Sequence, residues 1–154
     1  ARAERPALIT EAARRYGAQA IVVSIDAKRR EDASHEVFVE GGRKATGLTA
    51  TVWAREAAAR GAGEILINSI DRDGMGTGYD LALLRSVAES VDIPVIGCGG
   101  VGDYSGFAAG IAEGGVRSVA AANIFAFKEL SYMQAKQAMQ AAGLRVRPSS
   151  VGES

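Results

Sequence analysis

"LINSIDRDGMGTGYD", Leu66 to Asp80, passes from an apolar run through three acids and three glycines to a helix start. The run "EILINSI" (Glu64 to Ile70) reads as a strand. Asp71, Asp73, Gly74, Gly76 and Gly78 read as a loop, and Asp80 as the cap of a helix through "LALLRSVAESV". The same step occurs earlier in the chain. "YGAQAIVVSID" and "RGAGEILINSID" share Gly-Ala, the spacing to Ile and a terminal Ser-Ile-Asp, about 44 residues apart, and "EGGVRSV" repeats the step more weakly. Repeats of one strand and one helix point to serial βα units, whose right-handed crossovers give a parallel sheet with helices outside.

Working outward, Pro6 opens a helix over "ALITEAARRYG" that stops at Gly17. "AIVVSID" (Ala20 to Asp26) is an unbroken apolar run, which predicts a strand covered on both faces. Lys28 to Gly47 alternates weakly and carries Gly41-Gly42, an excursion with the pattern of a small hairpin. A helix follows from Val52 to Arg60, with a Thr as cap. Beyond Asp80 the unit recurs: strand "IPVIGC", loop "GGVGD" with Asp103 as cap, helix "YSGFAAGIAEGG", strand "VRSVAAA" and closing helix "SYMQAKQAMQAAG". The whole chain, 1–154, reads as one domain in which 146–154 is a tail. Four βα units form either an open doubly wound sheet or half of an eight-stranded barrel of about 250 residues. A chain that starts on a helix and lacks an initiator Met fits a piece of a longer βα series.

Of 154 residues 47% are hydrophobic, enough for a substantial core. Eighteen basic residues balance eighteen acidic ones without a like-charge block, so nothing suggests nucleic-acid binding. No apolar stretch approaches the roughly 18 residues that span a bilayer, so no membrane is expected. The single Cys98 and single His35 offer neither an intrachain disulfide nor a metal set. A cytoplasmic location, no metal and no cofactor are therefore expected, with Cys98 a small buried hydrophobe, His35 exposed and Trp53 a core anchor.

In either architecture ligands gather at the carboxyl ends of the strands. Gly99 and Gly100, entering a helix, present N–H groups suited to a phosphate, or simply allow a tight βα turn. Ala122-Asn123, opening "NIFAF", is a second phosphate candidate on the next strand end, and the Asp73-Gly74 backbone a third. "GCGGVG" also satisfies a dinucleotide pattern, but the next strand ends in Ala121, Ala122 and Asn123 rather than in the ribose-binding acid. Asp26 is either a partly desolvated proton-transfer group or a loop carboxylate paired with Lys28 or backbone amides.

In order, "VVSIDAKR", "GRKATG", "RGAGEILINSIDRDGMGTGYD", "IPVIGCGGVGD", "VAAANIF" and the terminal "GLRVR" resemble the cyclase subunits of imidazole glycerol phosphate synthase, specifically their C-terminal half. The resemblance implies an α/β fold that is the (βα)4 half of a TIM (βα)8 barrel, with parallel strands and outer helices. It implies ammonia delivered by a glutaminase subunit to a phosphoribulosyl-formimino-aminoimidazole carboxamide ribotide, which is cyclised and cleaved in histidine biosynthesis. Asp26 is then one of two catalytic aspartates. Gly74, Gly100, Ala122 and Asn123 hold a substrate phosphate with Gly99 beside them, Asp73 shapes that loop, and Asn68 and Asp71 face the same pocket.

The second aspartate and second phosphate site of that family lie on the N-terminal half, so the chain alone is expected to bind phosphate with little or no turnover. Gly41 stands where many relatives carry a hydroxyl, and "AANIF" where Ala-Ala-Ser is common. A related branch, associated with ammonia-dependent amidation of surface-polysaccharide sugars, is similar in both its "LLNSIDRDG"-like and "AANIF"-like motifs. Two readings of another class remain: a non-catalytic, self-associating phosphate-binding half barrel, and a complete doubly wound phosphate-binding domain. In a half barrel the first and fourth strands are expected to be unpaired edges, which favours a homodimer or capture of an N-terminal half barrel.

Overall fold

The computed structural model describes residues 5–122, 124 and 131–147. Helix α1 (Ala7–Tyr16) starts after Pro6 and stops at Gly17, whose N–H donates to the Ala13 carbonyl at 2.9 Å. Strand β1 (Val22–Arg29) is followed by a hairpin of β2 (His35–Val39) and β3 (Lys44–Thr49). Helix α2 (Ala50–Ala59) starts directly at Thr49, whose hydroxyl accepts from the Val52 N–H. Then come β4 (Glu64–Ser69), α3 (Leu81–Ala88), β5 (Val95–Cys98), α4 (Ser105–Ala112), the two-residue β6 (Ser118–Val119) and α5 (Ser131–Ala141). Asp80 caps α3 by accepting from the Leu83 N–H at 3.0 Å. At α4 the cap residue is Tyr104, and Asp103 one position earlier accepts from the Gly106 N–H at 3.1 Å.

The sheet order is β3-β2-β1-β4-β5-β6. Strands β1, β4, β5 and β6 are parallel, and the hairpin strands are antiparallel. This order decides between the two open architectures. A doubly wound sheet reverses direction at a switch point, whereas here each crossover steps to the next position on the same side. Right-handed connections that never reverse lay their helices on one face. The buried cluster shows that face: Val23, Ile25, Ile65, Ile67 and Val95 pack with Trp53 and Ala57 of α2, Leu83 and Leu84 of α3, and Phe107 of α4. The molecule is an α/β half barrel whose sheet is not closed.

Four expectations are corrected. The first strand is not covered on both faces: alternate residues Val23, Ile25 and Ala27 are buried, while Val22 is 49% exposed and Ser24 is exposed. A continuous apolar run cannot distinguish a face packed by helices from one turned toward a barrel interior. Nor is that strand a bare edge, because β2 pairs with its second half from Asp26↔Phe38 to Arg29↔His35. The hairpin strand β3 takes the edge, and only Val22 to Ile25 lack a β2 partner in the register. The fourth parallel strand is also shorter than "VRSVAAA". Of the tail, residues 148–154 lie outside the described residues.

The fourth correction concerns His35, which is buried rather than exposed. Its Nε2 stands 3.0 Å from Asp80 Oδ2, tying the hairpin to the start of α3. The His35 hydrogen bond, reinforced by the Leu83 N–H, holds the Asp80 carboxyl down at about 2 against the opposing effect of burial. A carboxyl depressed on folding stabilises the fold above its unfolded value and loses that contribution as the pH falls through the folded one. Asp80 should therefore contribute about 2 kcal/mol above pH 4, lost progressively toward pH 2. Urea unfolding of the wild type and Asp80→Asn should show a gap at pH 5 that narrows toward pH 2; a gap independent of pH would contradict this.

Candidate functional site

Register places three polar side chains on one rung. Asp26 of β1 is paired with Asn68 of β4, and Asn68 with Cys98 of β5. All three are half-buried and alternate with Ile25, Ile67 and Gly97, which face the helices. They therefore share the uncovered face near the carboxyl ends of the parallel strands. Strands lie about 4.8 Å apart, so the row from Asp26 to Cys98 spans about 10 Å. Asn68 Nδ2 donates to Asp26 Oδ1 at 3.2 Å.

Beyond Cys98 the β4–α3 and β5–α4 loops interlock. The Gly78 N–H donates to the Gly100 carbonyl at 2.8 Å. Gly99 and Gly100 have φ of +87° and +102°, and a Cβ on Gly100 would stand 2.4 Å from the Gly78 carbonyl oxygen and 2.6 Å from Arg72 Cβ. The glycines are thus required by the turn and by the close approach of the two loops. Between the loops lies a cavity of about 300 Å³, lined by Asp73, Gly74, Cys98, Gly99, Gly100 and Ala122, among others. Among the described residues, the N–H groups of Gly74 and Gly100 take no part in the backbone hydrogen bonds that tie the loops together. N–H groups not used in tying loops together suit an anion.

Tyr79, which the sequence did not single out, joins two of the segments that lead into this cavity. Buried, it donates from its hydroxyl to the Ala120 carbonyl at 3.0 Å, joining the β4–α3 loop to the end of β6. Burial raises its phenol above the ordinary range, so it stays a neutral donor. Cys98 is not the enclosed hydrophobe expected but half-buried and part of the cavity wall. Burial pushes its thiol up, opposed by the Gly99 N–H and reinforced by the Asp73 and Asp26 carboxylates. A thiol so placed is protonated near neutral pH and is a poor nucleophile.

The site residues expected from sequence divide into groups. Asp73, Gly74, Gly99, Gly100 and Ala122 share the glycine-lined cavity. Asp26 lines a different cavity of about 440 Å³, beside Ser24, Phe38, Glu40 and Trp53, where the pairing of β1 with β2 begins. Asn68 is the bridge between the two. Asp71 stands apart: exposed, it accepts from the Arg29 N–H at 2.7 Å and fastens its loop to the end of β1. Asn123 lies outside the described residues.

Among the described residues no group of three His, Cys, Asp or Glu side chains is close enough to hold a metal ion. None of the helices described is long and apolar enough to cross a membrane. The sequence model of the family described as "Histidine biosynthesis protein" matches residues 1–131, most of the chain. The chain belongs to the histidine biosynthesis protein family.

Proposed function

We propose that this chain supplies the C-terminal half of an ammonia-dependent cyclase site of the imidazole glycerol phosphate synthase type. The observation that carries the reading is the continuous rim from the glycine-lined cavity through Cys98 and Asn68 to Asp26. One phosphate of the ribotide sits against the N–H groups of Gly74, Gly100, Ala122 and Asn123, with Gly99 and Asp73 shaping the loops. The sugar and ring nitrogen then reach about 10 Å across the rung to Asp26. There Asp26 acts as general acid or base during ring closure and cleavage, and Asp71 keeps the loop at the rim.

The open face of the sheet leaves this rim without an opposite wall. An N-terminal half barrel supplies that wall, together with the second aspartate and phosphate site expected from the resemblance, and a glutaminase subunit supplies ammonia in the cytoplasm. Without the other half, two copies join at the free part of β1 and at β6 as a homodimer that holds phosphate but turns nothing over.

Mixing the chain with an N-terminal cyclase half, the ribotide and ammonium salt should give cyclisation that neither half gives alone. A mixture shown by mass to be assembled, yet inert toward the ribotide, would contradict the reading. The sugar-amidation branch is favoured by the "LLNSIDRDG"-like and "AANIF"-like motifs. Amidation of a sugar substrate by the same assembly, with the ribotide untouched, would select it.

A further inference from the structure

The hydrogen bond from Asn68 Nδ2 to Asp26 Oδ1, 3.2 Å long, joins direct partners across β1 and β4. Turning the amide over would set its oxygen against the carboxylate, two acceptors facing each other, so the carboxylate fixes which end points where. The other end gains nothing. Asn68 Oδ1 is buried with no hydrogen-bond partner among the described residues. It lies beside the backbone of Gly99, where a Cβ would stand 2.5 Å from it. A buried amide oxygen left unpaired weakens a fold, and an apolar side chain of similar size carries no such penalty. A residue that costs stability at one end and makes a single bond at the other is explained by what that bond does.

Resting on the cyclase reading of Asp26, we infer that Asn68 is a positioning residue whose carboxamide N–H holds the Asp26 carboxylate in one orientation on the rim. The two residues are 42 positions apart in sequence, and the parallel register of β1 and β4 brings them together. Gly99 belongs to the same device, since only a residue without Cβ leaves room for the amide oxygen. Orientation of this kind acts on the chemical step rather than on substrate affinity.

The test compares wild type with Asn68→Leu, and with Asn68→Ala should the leucine not be accommodated. On the chain alone, the Hα–Hβ couplings of Asp26 should report one rotamer in wild type and averaging in the variants. The thermal midpoint of Asn68→Leu should be equal to or above that of wild type. With the N-terminal half added, kcat should fall about ten- to hundredfold while KM stays within about twofold. A single Asp26 rotamer in every variant would overturn the inference, as would a lower midpoint with unchanged couplings, the mark of a purely structural residue. Should the wild-type assembly turn over no ribotide, the cyclase reading falls, and the Asp26 couplings still decide the role of Asn68.

Discussion

Replacing Asp26 by Asn in the assembled cyclase should lower ammonia-dependent turnover by about 10²- to 10⁴-fold, the usual contribution of a positioned general acid or base. The substitution keeps size and shape and removes the carboxyl group that gains and loses a proton. Asp26 lies on the uncovered face, half-buried and outside the helix-facing core, so the fold should survive. The loss should therefore appear in kcat with an unchanged circular dichroism spectrum and with phosphate binding retained at the glycine loops. Turnover within about twofold of wild type would remove Asp26 from the proton-moving role.

A second large effect is expected at Gly100, where two penalties coincide. A side chain at φ +102° occupies a sparsely populated region that costs about 1–3 kcal/mol. Its Cβ would also press on the Gly78 carbonyl oxygen and Arg72 Cβ, and overpacking costs about 1–3 kcal/mol more. Gly100→Ala should therefore strongly destabilise the chain and separate the β4–α3 and β5–α4 loops. Gly74 is the control on the same cavity: its φ is +75°, but no atom of the described residues lies within 4 Å of an added Cβ. Urea unfolding should show Gly74→Ala losing clearly less stability than Gly100→Ala. Equal losses would mean that close approach of the loops does not determine the need for glycine at 100.

These contrasts show what a linear sequence carries. The serial βα units were legible because β1, β4 and β6 each follow a Gly-small step, and the starts of α2 and α3 were legible because Thr and Asp are residue types that accept from a free N–H. The convergence of Asp73, Gly74, Gly99, Gly100 and Ala122 followed from a parallel sheet bringing its carboxyl ends together. What escaped depends on pairing between distant segments. The hairpin lies against β1 because of a register that weak alternation in residues 28–47 does not specify. His35 is buried by Asp80, 45 positions away, and neither residue announces the other. Tyr79 reaches the Ala120 carbonyl across a comparable gap. The open face escaped for a different reason: Val22 and Val23 look alike in sequence although one is exposed and the other is not.

The functional account depends on separate strand ends acting as one anion-holding rim. Its most direct test is a titration of the ¹⁵N-labelled chain with inorganic phosphate, followed through the backbone amides. Gly74, Gly100 and Ala122 should shift together along one saturating curve, with a smaller response in the Asn68 carboxamide and none at Gly41 and Gly42 in the hairpin turn. Shifts that do not saturate, or that fall on the hairpin while the two glycine loops stay still, would contradict the shared pocket.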